Sequence, residues 1–269
     1  MTRLLVTYVG GPGGKVVSEM ILARGLSDQG RVRKNNEDNF AILLRPSLLP
    51  GLDALLVVAD GMGGVQAGEV ASALTIRELT KWFSRDLERT LRGTETDWEG
   101  EIADAIGRAN QVIWQTASND SAKFGMGTTV VVAMVVGDRL TLAHVGDSRG
   151  YLVSDASVYQ ITDDHSWVAE QVRAGALAVS DARRHPRRNI LTRALGVSET
   201  VATDVSTVEL MPGDRIVLCT DGLHGMVEDD EIRRIVSGVS PDTAVQELVN
   251  LANARGAPDN VTVVVGLYS

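Results

Sequence analysis

Three apolar stretches of the chain each run into an aspartate beside a glycine. They are Leu55–Ala59 before Asp60-Gly61-Met62-Gly63-Gly64, Leu140–Val145 before Gly146-Asp147, and Arg215–Thr220 before Asp221-Gly222. A carboxylate at the end of a buried strand is costly unless a cation neutralises it, and glycine lets the backbone approach a ligand closely. This pattern indicates a metal, although Asp-Gly pairs are also common in ordinary tight turns.

Two further aspartates lie at the start of predicted strands. Asp38 closes Asn35–Asn39 just before Phe40–Leu44, and Asp259 stands two residues before Val261–Val265. Five aspartates that converge on one cleft would repel each other strongly, and cations would be needed to hold them together. We therefore predict a cluster of metal-binding carboxylates, because turns alone do not account for this repetition.

The elements that must position these aspartates come in blocks. Periodicity predicts helices at 68–91, 97–117, 165–174, 229–237 and 242–254, and strands at 21–26, 40–44, 55–59, 128–136, 139–145, 150–153, 157–161, 201–210, 215–220 and 260–268. Short hairpin links between consecutive strands indicate antiparallel sheets. Blocks of strands and helices, rather than strict alternation, favour an α+β fold.

Composition excludes several classes of function. The net charge of −9, from 26 basic and 35 acidic residues, argues against a nucleic-acid or anionic-membrane surface. No apolar run approaches the ~18 residues that span a bilayer, and Met1–Val9 is too short for a signal peptide. Cys219, the single cysteine, cannot form an internal disulfide. We expect a cytoplasmic protein that binds neither membrane nor nucleic acid.

Two segments depart from this pattern. Residues 1–20 contain Gly10-Gly11-Pro12-Gly13-Gly14-Lys15, but Val9 and Val16 stand where a phosphate-binding loop needs glycine and Ser or Thr, so we expect a hairpin or a loose N-terminal extension. Residues 181–188 hold four arginines around His185-Pro186 in an otherwise acidic chain. We interpret them as a basic flap beside the acidic cleft, the alternative being a solvated face. His185 could contact a substrate phosphate there, whereas the other three histidines are expected to be structural.

The ordered set of motifs resembles the metal-dependent protein phosphatases of type 2C, in their bacterial form. The motifs are Ser27-Asp28-x-Gly30-x-x-Arg33-x-x-Asn36-Glu37-Asp38, Ala59-Asp60-Gly61-Met62-Gly63-Gly64, Gly127-Thr128-Thr129, Val145-Gly146-Asp147-Ser148-Arg149, Thr220-Asp221-Gly222 and Asp259-Asn260, with Asp164-His165-Ser166 and Asn189–Gly196 around the flap. The resemblance covers about residues 22–267. Each motif is weak alone, but all of them in this order are specific.

The resemblance implies a four-layer α-β-β-α sandwich with metals between two antiparallel sheets. It implies residues 21–269 as the phosphatase domain, with a flap at about 163–190. It also implies two to three Mn²⁺ or Mg²⁺ ions. In that assignment Asp60 bridges two of the metals, and the first is also bound by the Gly61 carbonyl, Asp221 and Asp259. Asp38 and Asp60 bind the second metal, whose waters are held by Glu37, and Asp147 and Asp221 bind a third. Arg33 matches the arginine that grips the substrate phosphate.

The chemistry of these residue types agrees with that assignment. An all-oxygen site selects hard cations such as Mg²⁺ or Mn²⁺ over zinc, and two such ions can prepare a shared water for in-line attack on phosphorus. Arg33 can grip phosphate with two prongs, which lysine cannot, unless it forms only a surface salt bridge.

Two positions depart from the pattern of relatives. Met62 replaces a histidine that is proposed as the proton donor in many eukaryotic relatives, so the general acid here is expected to be a metal-bound water. Val65 replaces a histidine that many bacterial members carry near the substrate site.

The resulting hypothesis is a monomeric protein phosphatase that removes phosphate from Ser and Thr side chains. Its partners would be phosphorylated proteins, including a bacterial Ser/Thr protein kinase and its substrates. The alternative is a catalytically weak, phosphatase-like binding or regulatory module. Such modules usually lose metal ligands, and none is missing from this set.

Overall fold

Eleven β-strands and seven α-helices make up the part of the chain that the structure describes. The structure is a computed structural model and describes residues 21–64, 67–84 and 96–269. The strands are β1 (Ile21–Asp28), β2 (Asp38–Leu44), β3 (Ala54–Met62), β4 (Gly127–Thr128), β5 (Val130–Val136), β6 (Arg139–Val145), β7 (Arg149–Val153), β8 (Val158–Gln160), β9 (Asp204–Glu209), β10 (Arg215–Cys219) and β11 (Val261–Tyr268). The helices are α1 (Ala67–Phe83), α2 (Trp98–Asn119), α3 (Trp167–Arg173), α4 (Val179–Ala182), α5 (Asp221–His224), α6 (Asp229–Val236) and α7 (Pro241–Ala254).

The strands form two antiparallel sheets. The first sheet has the order β1-β11-β10-β7-β8, and the second has the order β2-β3-β5-β6-β9, with β4 attached to β3. The ends of the chain's described part, β1 and β11, pair along their full length from Ile21↔Tyr268 to Asp28↔Val261. Each sheet therefore mixes strands from distant parts of the sequence.

Three apolar clusters separate four layers. One cluster lies between the sheets and includes Phe40, Leu56 and Leu218. A second packs α1 and α2 on the outer face of the second sheet, and a third packs α6 and α7 on the outer face of the first. The predicted α+β class, with an α-β-β-α sandwich, is confirmed.

Strand β3 shows why a continuous apolar run is needed at the centre of this sandwich. Side chains alternate between the two faces of a strand. Leu55 and Val57 face the helices, whereas Leu56 and Val58 face the other sheet, and all four are fully buried. A strand buried on both faces carries no polar alternation, so the first polar side chain after it, Asp60, stands out in the sequence.

Helices α2 and α7 begin at side chains that accept hydrogen bonds from the first turn. Asp97 accepts from Gly100 N at the start of α2, and Ser240 accepts from Thr243 N at the start of α7, where Pro241 takes the first helical position. Among the helices of residues 21–64, 67–84 and 96–269, none has the length and apolar character needed to cross a membrane.

The structure differs from the predicted elements in a few places. The predicted strand 128–136 is divided into β4 and β5, because Thr129 leaves the ladder and bonds the backbone of Asp60. The four-residue helices α4 and α5 were not predicted, since one helical turn leaves no periodic pattern. The extension at 1–20, Val65 and the end of the helix predicted at 68–91 lie outside the described residues.

The core between the sheets should dominate stability. Leu56→Ala is expected to lower the free energy of unfolding by about 2–5 kcal/mol, because a buried leucine leaves a cavity when truncated. Urea unfolding followed by circular dichroism measures this change. Glu247→Ala, on the exposed face of α7, is the control and should change it by less than about 0.5 kcal/mol. Equal effects of the two substitutions would contradict this description of the core.

Candidate metal centre

The five predicted aspartates come from both sheets. Asp38 begins β2 and pairs in register with Asp60 near the end of β3. Asp147 lies between β6 and β7, Asp221 follows β10 as the first residue of α5, and Asp259 stands two residues before β11. The charges of the other four all raise the pKa of Asp60. The structure therefore brings the five carboxylates together between the edges of the two sheets.

Glycines allow the backbone to approach closely on both sides of the centre. A Cβ atom at Gly61 would lie 2.1 Å from the carbonyl oxygen of Gly68, and one at Gly222 would lie 1.9 Å from that of Asn260. Both distances are far below a normal contact, so a larger residue would push Asp60 or Asp221 out of place. The Asp-Gly pairs of the sequence are therefore required by packing, in addition to any role as ligands.

Two carboxylate oxygens in the centre lack a hydrogen-bond partner. Asp38 Oδ2 accepts hydrogen bonds from Thr220 Oγ1 at 2.9 Å and from Thr262 Oγ1 at 2.7 Å. Asp38 Oδ1 and Asp221 Oδ1 are buried and have no partner among the residues that the structure describes. Buried polar atoms nearly always have a hydrogen-bond partner, so these two oxygens indicate ligand positions for a cation.

Burial and mutual repulsion raise the pKa values of these carboxyl groups. Burial first, and then the charges of Asp221 and Asp259, raise the pKa of Asp38 to about 7 despite its two hydroxyl donors. Burial and Asp259 raise the pKa of Asp221 to about 6. The same causes raise the pKa of Asp60 and Asp147 well above the ordinary range. A bound divalent cation would reverse this penalty, because it favours the charged form.

These residues fit Mg²⁺ or Mn²⁺. The donors gathered here are carboxylate oxygens and the backbone of Gly61, with no thiolate, and hard cations prefer such oxygen ligands. Glu37 lies at the rim with a pKa raised first by burial, and its backbone carbonyl accepts from Gly61 N at 3.2 Å. All predicted metal ligands thus lie in or beside the cluster, and their individual roles stay predictions.

Arg33 forms an ion pair within this group. Its Nη2 lies 2.7 Å from Asp259 Oδ2, and half of its side chain is exposed. The charge of Arg33 also lowers the pKa of Asp221 and of Glu37. The structure thus places the guanidinium at the mouth of the centre, paired with one of its carboxylates, where a phosphate could compete for it.

A cavity of about 450 Å³ lies beside the centre, under the predicted flap. Asp147, Asp221 and Asp259 line it, together with residues of α3 and α4 and with Arg183 and Arg188. His185 is not among the lining residues. Its ring stacks on Trp167 at 5.0 Å, and its Nδ1 accepts from Arg187 N. The histidine that lines this cavity is His224, whose pKa burial lowers to about 3, so the positive charges along it come from arginines. A substrate contact by His185 stays an untested prediction.

A second group of possible metal ligands was missed by sequence reasoning. The ligand atoms of His144, His165 and Asp204 all lie within 4.8 Å of one another. Gly146 N donates to His165 Nδ1, so His165 Nε2 carries the hydrogen that it shares with Asp204 Oδ2 at 3.1 Å. His144 Nε2 donates to the carbonyl of Asp163. These tautomers leave neither Nε2 atom free for a metal, and Asp204 also pairs with Arg193. The group is therefore held together by hydrogen bonds and an ion pair.

Thr220 and Thr262 were also missed, although both stand next to predicted motifs. Thr220 directly precedes Asp221, and Thr262 follows Asn260 by two positions. The available signal was a hydroxyl residue at the end of an otherwise apolar strand. Sequence alone could not show that both hydroxyls point at Asp38, because Asp38 lies in the other sheet.

Comparison with known proteins identifies the family. Residues 23–261 match the family described as Protein phosphatase 2C. The chain belongs to the protein phosphatase 2C family. It is 38% identical over 240 residues to Serine/threonine phosphatase stp of Listeria welshimeri, an alignment that covers 89% of this chain and 92% of that protein.

Solved structures of bacterial members share this fold. The serine/threonine phosphatase PstP/Ppp of Mycobacterium tuberculosis is 36% identical with a TM-score of 0.82, covering 93% of this chain and 99% of that one. The catalytic domain of PstP in complex with two manganese ions is 34% identical with a TM-score of 0.78, covering 92% and 97%. The protein is a serine/threonine protein phosphatase of this metal-dependent family.

The raised pKa of Asp38 gives a pH-dependent prediction for the metal-free protein. The folded-state pKa is about 7 against an ordinary value of 3.8, so the folded state binds more protons between these values and loses stability as the pH rises through them. Asp38→Asn removes this loss. The variant should gain stability over the wild type by roughly 2 kcal/mol between pH 5 and pH 7.

Urea unfolding in EDTA at several pH values measures this difference. The histidines cancel because both proteins carry them. Addition of Mn²⁺ at pH 7 should reverse the sign, since the variant lacks a ligand. Asp138→Asn, at an exposed turn between β5 and β6, is the matched control and should show no such trend. A difference that is independent of both pH and metal would rule out a buried charge at Asp38.

Proposed function

We propose that the protein hydrolyses phosphoserine and phosphothreonine in proteins with two divalent cations, Mg²⁺ or Mn²⁺, bound between its sheets. The observation that carries this proposal is that one buried oxygen of Asp38 and one of Asp221 have no hydrogen-bond partner within residues 21–64, 67–84 and 96–269. They lie within a cluster of carboxylates whose pKa values are raised by burial and by one another. When bound, the cations would lower the pKa of a water between them and neutralise the phosphate charge.

The roles of individual residues follow from their positions. The charges of the other four aspartates all raise the pKa of Asp60, so its carboxylate would be the one to serve both cations. Asp221, Asp259 and the Gly61 carbonyl would hold one cation, and Asp38 with Glu37 would complete the other. Asp147 and Asp221 both line the cavity under the flap, which supports the proposal that they would hold a third cation.

Arg33 would orient the substrate. Its side chain is half exposed at the mouth and already pairs with a carboxylate oxygen. A phosphate presents similar oxygens, and a guanidinium can hold two of them at once. Met62 has no proton to give, so no protein group at this position supplies one to the leaving oxygen. The phosphate would thus be fixed by Arg33 and the cations together.

The competing proposal is a binding module without catalysis. The complete set of carboxylates argues against it, because nothing in a binding role requires five aspartates gathered at buried and half-buried positions. Hydrolysis of p-nitrophenyl phosphate and of a phosphothreonine peptide, with Mn²⁺, with Mg²⁺ and with EDTA, separates the two. Turnover that EDTA abolishes supports the phosphatase, whereas peptide binding without turnover supports the module. Phosphorylated proteins, among them a bacterial Ser/Thr kinase, are the proposed partners.

Asp60→Asn should abolish turnover. The amide keeps the shape of the side chain but cannot bring two cations together, so we expect kcat to fall by at least about 100-fold. Asp138→Asn is the control and should retain wild-type kinetics, because Asp138 is exposed and stands at the opposite end of β6 from Asp147. Full activity of Asp60→Asn in a folded sample would overturn the assignment of the centre.

Arg33→Lys should weaken phosphate binding while leaving the cations in place. Lysine keeps the charge but loses the two-pronged geometry, so kcat/KM should fall by roughly 10-fold. This fall should come mainly from a higher KM, with little change in kcat. Mn²⁺ binding, measured by calorimetry, should remain near that of the wild type. Arg31→Lys provides the control, because Arg31 is also exposed and only two residues away. An unchanged KM would show that Arg33 forms only a salt bridge.

A further inference from the structure

Asp38 closes a ring of hydrogen bonds. Its backbone N donates to Asn36 Oδ1 at 3.1 Å, and Asn36 Nδ2 donates to Ser27 Oγ at 2.8 Å. Ser27 Oγ and Thr262 Oγ1 lie 2.7 Å apart, and Thr262 Oγ1 donates to Asp38 Oδ2 at 2.7 Å. Thr220 Oγ1 joins the ring from the side, since it accepts from Thr262 N at 3.0 Å and donates to the same Oδ2. The ring thus begins and ends on one residue.

The donors in this ring all point the same way. Asn36 must present its oxygen to the Asp38 N–H, so its NH₂ group faces Ser27. Each hydroxyl has one hydrogen: Ser27 therefore donates to Thr262, and Thr262 donates to the carboxylate. Every hydrogen bond of the ring is therefore oriented in the same sense and the series ends at Asp38 Oδ2. Hydrogen bonds aligned in this way strengthen one another.

The ring fixes which oxygen of Asp38 is available. Oδ2 is occupied by two hydroxyl donors, whereas Oδ1 is buried without a partner among the described residues. Thr220 and Thr262 are both fully buried and Ser27 nearly so. If Oδ2 turned toward a ligand, two buried hydroxyls would lose their acceptor, which is unfavourable.

We propose that Thr220 and Thr262 are positioning residues that make Asp38 a one-oxygen ligand and so favour Mg²⁺ or Mn²⁺ over Ca²⁺. Mg²⁺ requires a compact octahedral set of ligands, while Ca²⁺ takes more oxygens and often both of one carboxylate. A carboxylate with one oxygen held back suits the first kind of ion. This inference rests on the proposed metal centre and adds a source of its selectivity.

The ring also joins the two sheets at the centre. Ser27 and Thr262 are register partners in the first sheet, while Asp38 begins a strand of the second. The hydrogen bonds to Asp38 therefore cross the gap between the sheets. The position of Asp38 thus depends on the alignment of the sheets. We call the two threonine hydroxyls that hold Asp38 Oδ2, those of Thr220 and Thr262, the clamp, and its attachment to the first sheet makes it rigid.

Calorimetric titration of the metal-free protein with Mn²⁺, Mg²⁺ and Ca²⁺ tests this proposal. In Thr262→Val, which keeps the side-chain shape, Mn²⁺ affinity should fall about tenfold, as for other residues that orient a metal ligand, while Ca²⁺ affinity is unchanged or rises. The preference for Mn²⁺ over Ca²⁺ should fall by the same factor. Thr262→Ser keeps the hydroxyl and should restore the preference, and Thr220→Val should resemble Thr262→Val.

Controls separate the clamp from the metal centre itself. Thr141→Val removes a hydroxyl from another hydrogen-bonded threonine pair, the buried Thr141 and the half-buried Thr207 on β6 and β9, and should leave the metal preference unchanged. A wild-type protein that binds no Mn²⁺ would overturn the proposed centre. Equal losses of Mn²⁺ and Ca²⁺ affinity, or no loss, would overturn the clamp alone. If Thr262→Val does not fold, Ser27→Ala removes the next donor and should shift the preference in the same direction.

Discussion

The repulsion among buried carboxylates is the constraint on which this structure depends. Five aspartates from distant parts of the chain share one edge of the sandwich, and burial raises the pKa of four of them. Such a group is unfavourable for the folded protein without cations. The surrounding features, which include close-packed glycines, hydroxyl donors and the ion pair of Arg33, all act to hold it in place. The metal-free folded protein is therefore less stable because the proposed cation site is already formed before any cation binds.

A two-sheet sandwich is well suited to hold these carboxylates together against their mutual repulsion. Each sheet contributes its carboxylates at strand ends, so the backbone behind them is rigid and apolar. The core between the sheets fixes their spacing, and the hydroxyl ring links them again at the edge. The helices on the outer faces bury the remaining apolar surface, which leaves the edge open to solvent and to a phosphorylated substrate.

The sequence predicts the parts of this arrangement that are local. Asp60 and Asp221 stand out because each follows a continuous apolar strand and precedes a glycine, and the order of such motifs indicates the family and the sandwich. The contacts that depend on long-range pairing could not be predicted. Asp38 meets Thr262 across two sheets, Arg33 meets Asp259 across the chain, and His165 meets Asp204 beyond the flap, and no spacing rule connects such residues.

Two clusters of metal-ligand types lie in the same domain, and hydrogen bonding distinguishes them. His144, His165 and Asp204 are closer together, but each ring has its Nε2 hydrogen committed to an acceptor, and Asp204 also pairs with Arg193. Asp38 and Asp221 instead each keep a buried oxygen that accepts no hydrogen bond from the part of the chain that the structure describes. A cation would have to displace existing hydrogen bonds in the first cluster, whereas in the second it would bind oxygens that accept none. Proximity of ligand atoms is therefore the weaker criterion, and the unsatisfied carboxylate oxygens are the observation that supports the proposed metal centre.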